Sequence, residues 1–485
     1  MSALKRFLSG VGLGVGLVLV GAGCSVNPAT GKQQINFISE AQEVAMGREA
    51  DVEIVASMGL YPDEELQAYV QRVGATLAKE SERPHLPWTF RVLDDPLINA
   101  FALPGGYVYV TRGIMAHLDS EAELVGILGH EIGHITARHG VNRLSKQQLA
   151  GVGLVVGAVL SPEVARAGDL AQTGLGLLFL KYSREDERQS DELGLRYSLR
   201  SGYDPREIPE VFDLLERASQ LDGRGATPNW LASHPDPGQR REWMRSQVSR
   251  LDVDLDGARV ESQSYQSRLD GLVYGDDPRQ GFFDDNRFLH PELAFSIDFP
   301  EGWRTQNSRQ AVLGGSEGKD GLLRLTLASD PDPVAAARKF VGQTGVTGSE
   351  VRRVTVGGFG GASAMFRVEQ EGGYDYVGRV TFLRDGDRVY QLLGYSYENR
   401  WTEYRPGIER AMNSFRRVTD RRVLDVGPRR LDLVDLERGL TLDEFERAYP
   451  SSVPLERIGL LNRLDGEGRL PADDFAKRVV GGPGG

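Results

Sequence analysis

At 485 residues the chain is longer than one ordinary hydrophobic core supports, so two or three domains are expected. Hydrophobic residues make up 40% and charged residues 26%, the balance of a globular protein, and a formal net charge of −12 argues against non-specific binding to nucleic acid or anionic lipid. A single cysteine excludes an internal disulfide.

At the start, Lys5 and Arg6 precede an apolar run from Val11 to Val20, followed by Gly21-Ala22-Gly23-Cys24. A basic beginning, a short apolar segment and small residues describe an export signal, too short for a comfortable membrane span. The position of Cys24 directly after small residues resembles the cleavage and lipidation site of bacterial lipoproteins, although Gly21 occupies a place that usually holds Leu. Residues 1–24 therefore read as a signal peptide with a lipobox-like end, the alternative being a plain secretory signal with an incidental cysteine. Ser25 carries no sign of inner-membrane retention, so a periplasmic protein anchored to the outer membrane is expected.

Helical patterning runs from Ser39 to about Lys79, with Val44, Ile54, Leu66, Val70 and Val73 at helical spacing. Thr89 to Val92 and Tyr107 to Thr111 read as strands, the second following the turn signal Pro104-Gly105-Gly106. Leu149 to Leu160 is apolar and glycine-rich, a buried helix or a flap. Composition shifts near Asp270–Asp285, where Gly, Asp and Pro crowd together. Beyond it, strands are expected at Phe295–Phe299, Leu322–Ala328, Arg352–Val356, Ala364–Val368, Tyr376–Leu383 and Val389–Tyr395, with helices at Pro333–Thr344 and Arg405–Arg416. The predicted division is a catalytic domain over 25–265, a linker over 266–284, an α+β accessory domain over 285–420 and a small module over 425–481.

Ser120 and Glu123 form a helix-start signal, and the helix runs through Leu124, Ile127 and Leu128 into His130-Glu131-Ile132-Gly133-His134. Side chains four apart on a helix lie about 6 Å from each other, which places both imidazoles on one zinc ion. Glu131 lies about 100° round the helix, where its carboxylate activates a water rather than binding the metal. His139 is nine residues beyond His130, roughly opposite on a continued helix, and fails as the third ligand. Downstream, Glu187 and Asp191 lie one helical turn apart, so one carboxylate can bind the metal while the other orients a ligating histidine. From the residues alone, Glu187 is only slightly favoured over Glu185.

The combination resembles the bacterial, exported branch of the CAAX prenyl protease (Ste24-like) zinc metallopeptidase family, the BepA- and LoiP-like lipoproteins. It is carried by Asn27-Pro28-Ala29-Thr30-Gly31, Asn99-Ala100-Phe101-Ala102-Leu103-Pro104-Gly105-Gly106, the His130–His139 segment, the Glu187–Asp191 segment and Ser233-His234-Pro235-Asp236-Pro237, and covers residues 27 to 250. The resemblance implies an α+β multidomain protein whose mainly helical gluzincin domain holds one zinc ion on His130, His134 and Glu187, with Asp191 behind them. Gln189-Ser190-Asp191 stands where Glu-Ala-Asp is usual. His234 is implied to sit over the zinc, closing the site or stabilising an oxyanion, and Arg240 to support that loop or contact substrate. Tyr107, Val108 and Tyr109 would be the exposed edge to which an extended substrate adds as a strand.

The implied activity is endoproteolysis of unfolded or misassembled envelope proteins, in quality control of outer-membrane protein assembly. Alternatives are a latent, chaperone-like binding protein and a peptidoglycan-associated processing factor. No 34-residue repeat follows the catalytic region. The tail weakly resembles a LysM module, a βααβ fold that would make peptidoglycan a further partner. Asp465-Gly466-Glu467-Gly468 hints at a calcium loop, but Arg463 takes the place of its first acidic ligand, so calcium is discounted.

Overall fold

A computed structural model describes residues 24–146, 181–221, 229–370, 373–464 and 468–482. The expected export signal before Cys24, the apolar Leu149–Leu160 stretch and residues 465–467 lie outside the described residues. By contact the chain forms two compact units, one of Met1–Gly275 with Arg430–Val480 and one of Asp276–Arg429 with Gly481–Gly485. The division after Gly275 falls within the stretch 266–284 that was read as a linker. The tail, expected as a module of its own, clusters instead with the first unit. Among the described residues no helix is long and apolar enough to cross a membrane.

The first unit opens with β1 (Cys24–Val26) paired to β2 (Gln33–Ile35). The helical stretch after Ser39 divides into α1 (Glu40–Met58) and α2 (Glu64–Lys79). Gly59, at φ 76°, ends the first helix with its N–H on Val55, and Asp63 caps the second. Strands β3 (Thr89–Leu93), β4 (Ala100–Leu103) and β5 (Tyr107–Thr111) form one sheet in the order β3-β5-β4. β5 is parallel to β3 and antiparallel to β4, and all five of its residues are buried. Tyr107, Val108 and Tyr109 are therefore central, not an exposed edge. Their alternating aromatic and β-branched pattern reflects burial on both faces. β4 is an outer strand of this sheet.

After α3 (Arg112–His117) comes α4 (Glu121–Thr136), buried over all but its first residue and capped by Ser120, whose hydroxyl accepts the Glu123 N–H. It packs against α5 (Arg184–Arg200) more extensively than against any other helix, and the glycines of α4 make this possible. A Cβ at Gly133 would come within 3.0 Å of the Ser190 backbone, and one at Gly129 within 3.1 Å of Gly194. The two backbones thus approach closely enough for α5 carboxylates to face the α4 histidines. α6 (Ile208–Leu221), α7 (Asn229–Ser233), α8 (Pro237–Val248) and α9 (Ser262–Gln266) complete the helical layer, followed by β6 (Val273–Tyr274).

The second unit has a four-stranded sheet of β7 (Phe282–Asp284), β8 (Arg287–His290), β9 (Phe295–Asp298) and a later strand, β18. Its larger sheet has eight strands. They are β10 (Arg304–Asn307), β11 (Val312–Gly315), β12 (Gly321–Leu327), β13 (Val346–Gly348), β14 (Arg352–Val356), β15 (Phe359–Val368), β16 (Tyr376–Asp385) and β17 (Arg388–Tyr397). Helices α10 (Pro333–Val341) and α11 (Glu398–Asn413) pack on this sheet, and β18 (Arg416–Arg417) and α12 (Arg421–Leu424) follow. Both helices and all six expected strands are present. The shorter β7, β8, β10, β11 and β13 lacked a pattern long enough to read.

The tail runs β19 (Arg429–Leu436), β20 (Leu440–Thr441), α13 (Leu442–Ala448), α14 (Leu455–Leu461), β21 (Arg469–Leu470) and β22 (Asp474–Gly481). β19 lies between β22 and β6, while β20 pairs with β21. Leu431, Phe445, Ile458, Leu461 and Val479 belong to the same core cluster as Leu124, Leu128 and Ile132 of α4. Arg463 and Lys477 reach the start of α4. Arg463 binds both carboxylate oxygens of buried Glu123 at 3.0 and 2.9 Å, and the buried Lys477 ammonium lies 2.6 Å from Asp119. The basic residue that spoiled the calcium pattern thus serves an ion pair.

Candidate metal centre

Four buried side chains, His130, His134, Glu187 and His234, offer ligand atoms that lie within 4.8 Å of one another. His130 and His134 Nε2 face each other at 3.0 Å. Glu187 lies across from them, with Oε2 3.6 Å from His130 Nε2 and Oε1 3.5 Å from His134 Nε2. His234 Nδ1 is 2.9 Å from Glu187 Oε1 and 3.2 Å from His130 Nε2. Glu185, the competing carboxylate, does not belong to this group.

Local sequence accounts for each position. Spacing on α4 puts His130 and His134 on one face. α5 starts at Ser183, whose hydroxyl and Asp186 form a reciprocal cap, so Glu187 and Asp191 point at α4 from its first two turns. His234 follows α7, its N–H bonded to the Trp230 carbonyl, and its ring stacks on Trp230 at 4.6 Å. Asp236 adopts φ 62° and Pro237 starts α8, so the chain turns sharply after His234 and brings back Arg240.

Asp191 Oδ1 accepts from His130 Nδ1 at 2.9 Å, leaving Nε2 free to ligate. Arg240 grips Asp191 at 2.6 and 2.9 Å and reaches Glu187 Oε2 at 2.8 Å. Its guanidinium lies over Trp230 and Phe212 at 4.8 and 4.7 Å. Its polar contacts are to the two carboxylates, a placement different from the expected loop support or substrate contact.

Burial favours a ligand set ready for a cation. It pushes His130 down to about 4, with the Arg240 charge adding to the effect, and His134 down to about 3. Both are neutral near pH 7. Burial would raise the Glu187 carboxyl, but His234 and Arg240 hold it well below the usual range. Burial opposes the charging of His234, yet Glu187 and Glu131 raise its pKa. Glu131 Oε1 is buried, 3.6 Å from His234 Nε2, and has no hydrogen-bond partner among the described residues. Two neutral imidazoles, an ionised carboxylate and a nearby unpartnered carboxylate oxygen fit a zinc site.

Three contributors escaped the sequence. Tyr182 stacks on His134 at 3.8 Å, Trp230 backs His234, and the Gly129, Gly133 and Gly194 trio sets the helix approach. Only the glycines carried a readable signal, small residues four apart on α4. His139 also departs from expectation, because α4 ends at Thr136 and the chain turns at Arg138 (φ 59°) rather than continuing as a helix. The side chain of Cys24, the expected lipidation site, lies outside what is described.

Residues 64–248 match the sequence profile of Peptidase family M48. The beta-barrel assembly-enhancing protease of Escherichia coli (strain K12) is 27% identical over 234 residues, 46% of this chain and 47% of that protein. Its counterpart in Yersinia pestis is 31% identical over 225 residues, 44% of this chain and 45% of its own. The mitochondrial metalloendopeptidase OMA1 of Arabidopsis thaliana is 33% identical over 181 residues, 37% of this chain and 35% of its own. The chain thus spans half or less of the length of these curated relatives. Its own residues 64–248, holding the paired histidines of α4 and the carboxylates of α5, are a metallopeptidase domain of Peptidase family M48.

Proposed function

We propose that the chain is a zinc-dependent endopeptidase that cleaves unfolded or misassembled proteins of the cell envelope. The observation that carries this reading is the convergence of His130, His134 and Glu187 beside Glu131 Oε1, which has no hydrogen-bond partner among the described residues. Bound zinc supplies a Lewis acid that acidifies water and polarises a peptide carbonyl. Glu131 Oε1 takes the proton of the attacking water and passes it to the leaving amine nitrogen. Asp191 keeps His130 in the ligating tautomer, and Arg240 holds Asp191 and Glu187 in place.

The strand to which a substrate adds is β4 rather than β5. Both sides of β5 are paired, whereas β4 is an outer strand that packs on α4. Main-chain pairing along Ala100–Leu103 reads backbone more than side chains, which suits unfolded substrates. Two of the relatives are named for enhancing β-barrel assembly, and that likeness supports a role for this chain in outer-membrane protein assembly. Export, lipidation of Cys24 and attachment to the outer membrane belong to the same proposal. A glycan-directed tail is the weaker reading, because its apolar residues are taken up by the common core.

His234 supports a second element, latency. It lies within reach of Glu187, His130 and Glu131 and so fills the space a scissile carbonyl needs. When the His234 loop moves aside, the imidazole can donate to the oxyanion. In the closed arrangement only a minor open population works, so His234→Ala is expected to raise casein cleavage by roughly tenfold. Casein cleavage by the full chain, its His234→Ala variant and the Glu131→Gln, His234→Ala double variant tests both points. Loss of cleavage in His234→Ala would reject the latch. Cleavage by the double variant would reject the protease mechanism.

A further inference from the structure

Behind the ligands runs a hydrogen-bond relay that this mechanism leaves unused. The left-handed turn at Arg138 brings His139 back onto His134, both rings buried, with Nδ1 3.0 Å from Nδ1. His139 Nε2 lies 2.8 Å from Gln189 Oε1 and 3.6 Å from Asp186, while Ser190 Oγ is 3.3 Å from His139 Nδ1. Gln189 Oε1 also accepts from Asn27 Nδ2 at 3.4 Å. Asn27 in turn accepts the Ala29 and Thr30 N–H groups, which fixes the loop after Cys24.

One donor order satisfies this chain. His134 presents its Nε2 lone pair beside His130 and Glu187, so its hydrogen is on Nδ1. His139 Nδ1 must then accept that hydrogen and carry its own on Nε2, where the Gln189 carbonyl accepts it. The two ligating histidines therefore have different supports, the Asp191 carboxylate behind His130 and a neutral imidazole with an amide behind His134. Gln189, where Glu is usual, keeps the acceptor while adding no charge.

Resting on the metal-site reading above, we propose that His139 and Gln189 are positioning residues that set the tautomer and ring orientation of His134. Asn27 extends this relay to the loop that follows Cys24. The test measures zinc affinity of the full chain by chelator competition, with the visible spectrum of the cobalt-substituted form as a report on ligand geometry. His139→Ala and Gln189→Leu are expected to weaken zinc binding by about 10–100-fold and to alter the cobalt spectrum. Gln189→Glu, which retains the acceptor, is expected to stay close to wild type, and Asn27→Ala to fall between. Thermal unfolding of the metal-free forms checks folding, and if His139→Ala does not fold, the Gln189 pair decides. Unchanged zinc affinity and cobalt spectrum in Gln189→Leu would overturn the relay while leaving the metal site standing. A wild-type chain that binds no zinc would reject the metal-site reading itself, and the relay with it.

Discussion

Glu131→Gln is expected to lower casein cleavage by about 10²–10⁴-fold while zinc content and melting temperature stay near wild type. Glutamine has nearly the volume of glutamate, so it fills the same buried place on α4 without disturbing the α4–α5 contact. The proposed ligand set His130, His134 and Glu187 is untouched. What disappears is the proposed proton acceptor at Oε1, and His234, 3.6 Å away, is itself drawn towards its charged form by Glu187. Turnover with metal analysis on the same sample checks this. A drop of less than tenfold, or one accompanied by lost zinc, would remove Glu131 from the proton-transfer role.

The second large effect lies far from the chemistry. Arg463→Ala is expected to destabilise the protein by about 3–5 kcal/mol, a melting decrease on the order of 10 °C. Glu123 is buried at the first turn of α4, where burial pushes its carboxyl up to about 7, and Arg463 holds both of its oxygens. Without the guanidinium the buried carboxyl loses its counter-charge and must stay ionised at high cost or take up a proton. Adding Glu123→Gln removes that charge and keeps an acceptor for the Asp119 N–H, so the double variant is expected to recover part of the loss. Calorimetry of wild type, both single variants and the double variant measures the coupling. Strictly additive changes would show that Arg463 and Glu123 act independently. Deletion of residues 425–485 would take Arg463 from Glu123 and Lys477 from Asp119 and remove Leu431, Phe445, Ile458 and Val479 from the core cluster, so it tests folding rather than glycan binding.

The α4 histidines were legible because a helix converts a spacing of four into a shared face, whatever the rest of the fold does. The partner carboxylate was less so. Periodicity placed Glu187 and Asp191 on one face, but only resemblance chose between Glu187 and Glu185, since the choice depends on how α5 docks on α4. That docking is set by Gly129, Gly133 and Gly194, whose function lies in the side chains they lack. Strand composition marked Tyr107–Thr111 as β structure, but strand order is a property of pairing, and nothing local separates a central strand from an edge. The tail's destination was likewise illegible, because it rests on contacts such as Lys477 to Asp119 across 358 positions of sequence. His139 was misplaced because no Gly or Pro announces the end of α4 before the left-handed Arg138.

The central claim is that proteolysis depends on a zinc ion held by this site. It is tested most directly by assaying casein cleavage by the purified chain as bound zinc is stripped with a chelator and then returned, with His130→Ala alongside. The account predicts about one zinc per wild-type chain, cleavage that falls with zinc content and returns when zinc is restored, and neither tight zinc binding nor cleavage in His130→Ala. Cleavage that survives complete removal of zinc, or that persists in His130→Ala, would contradict it.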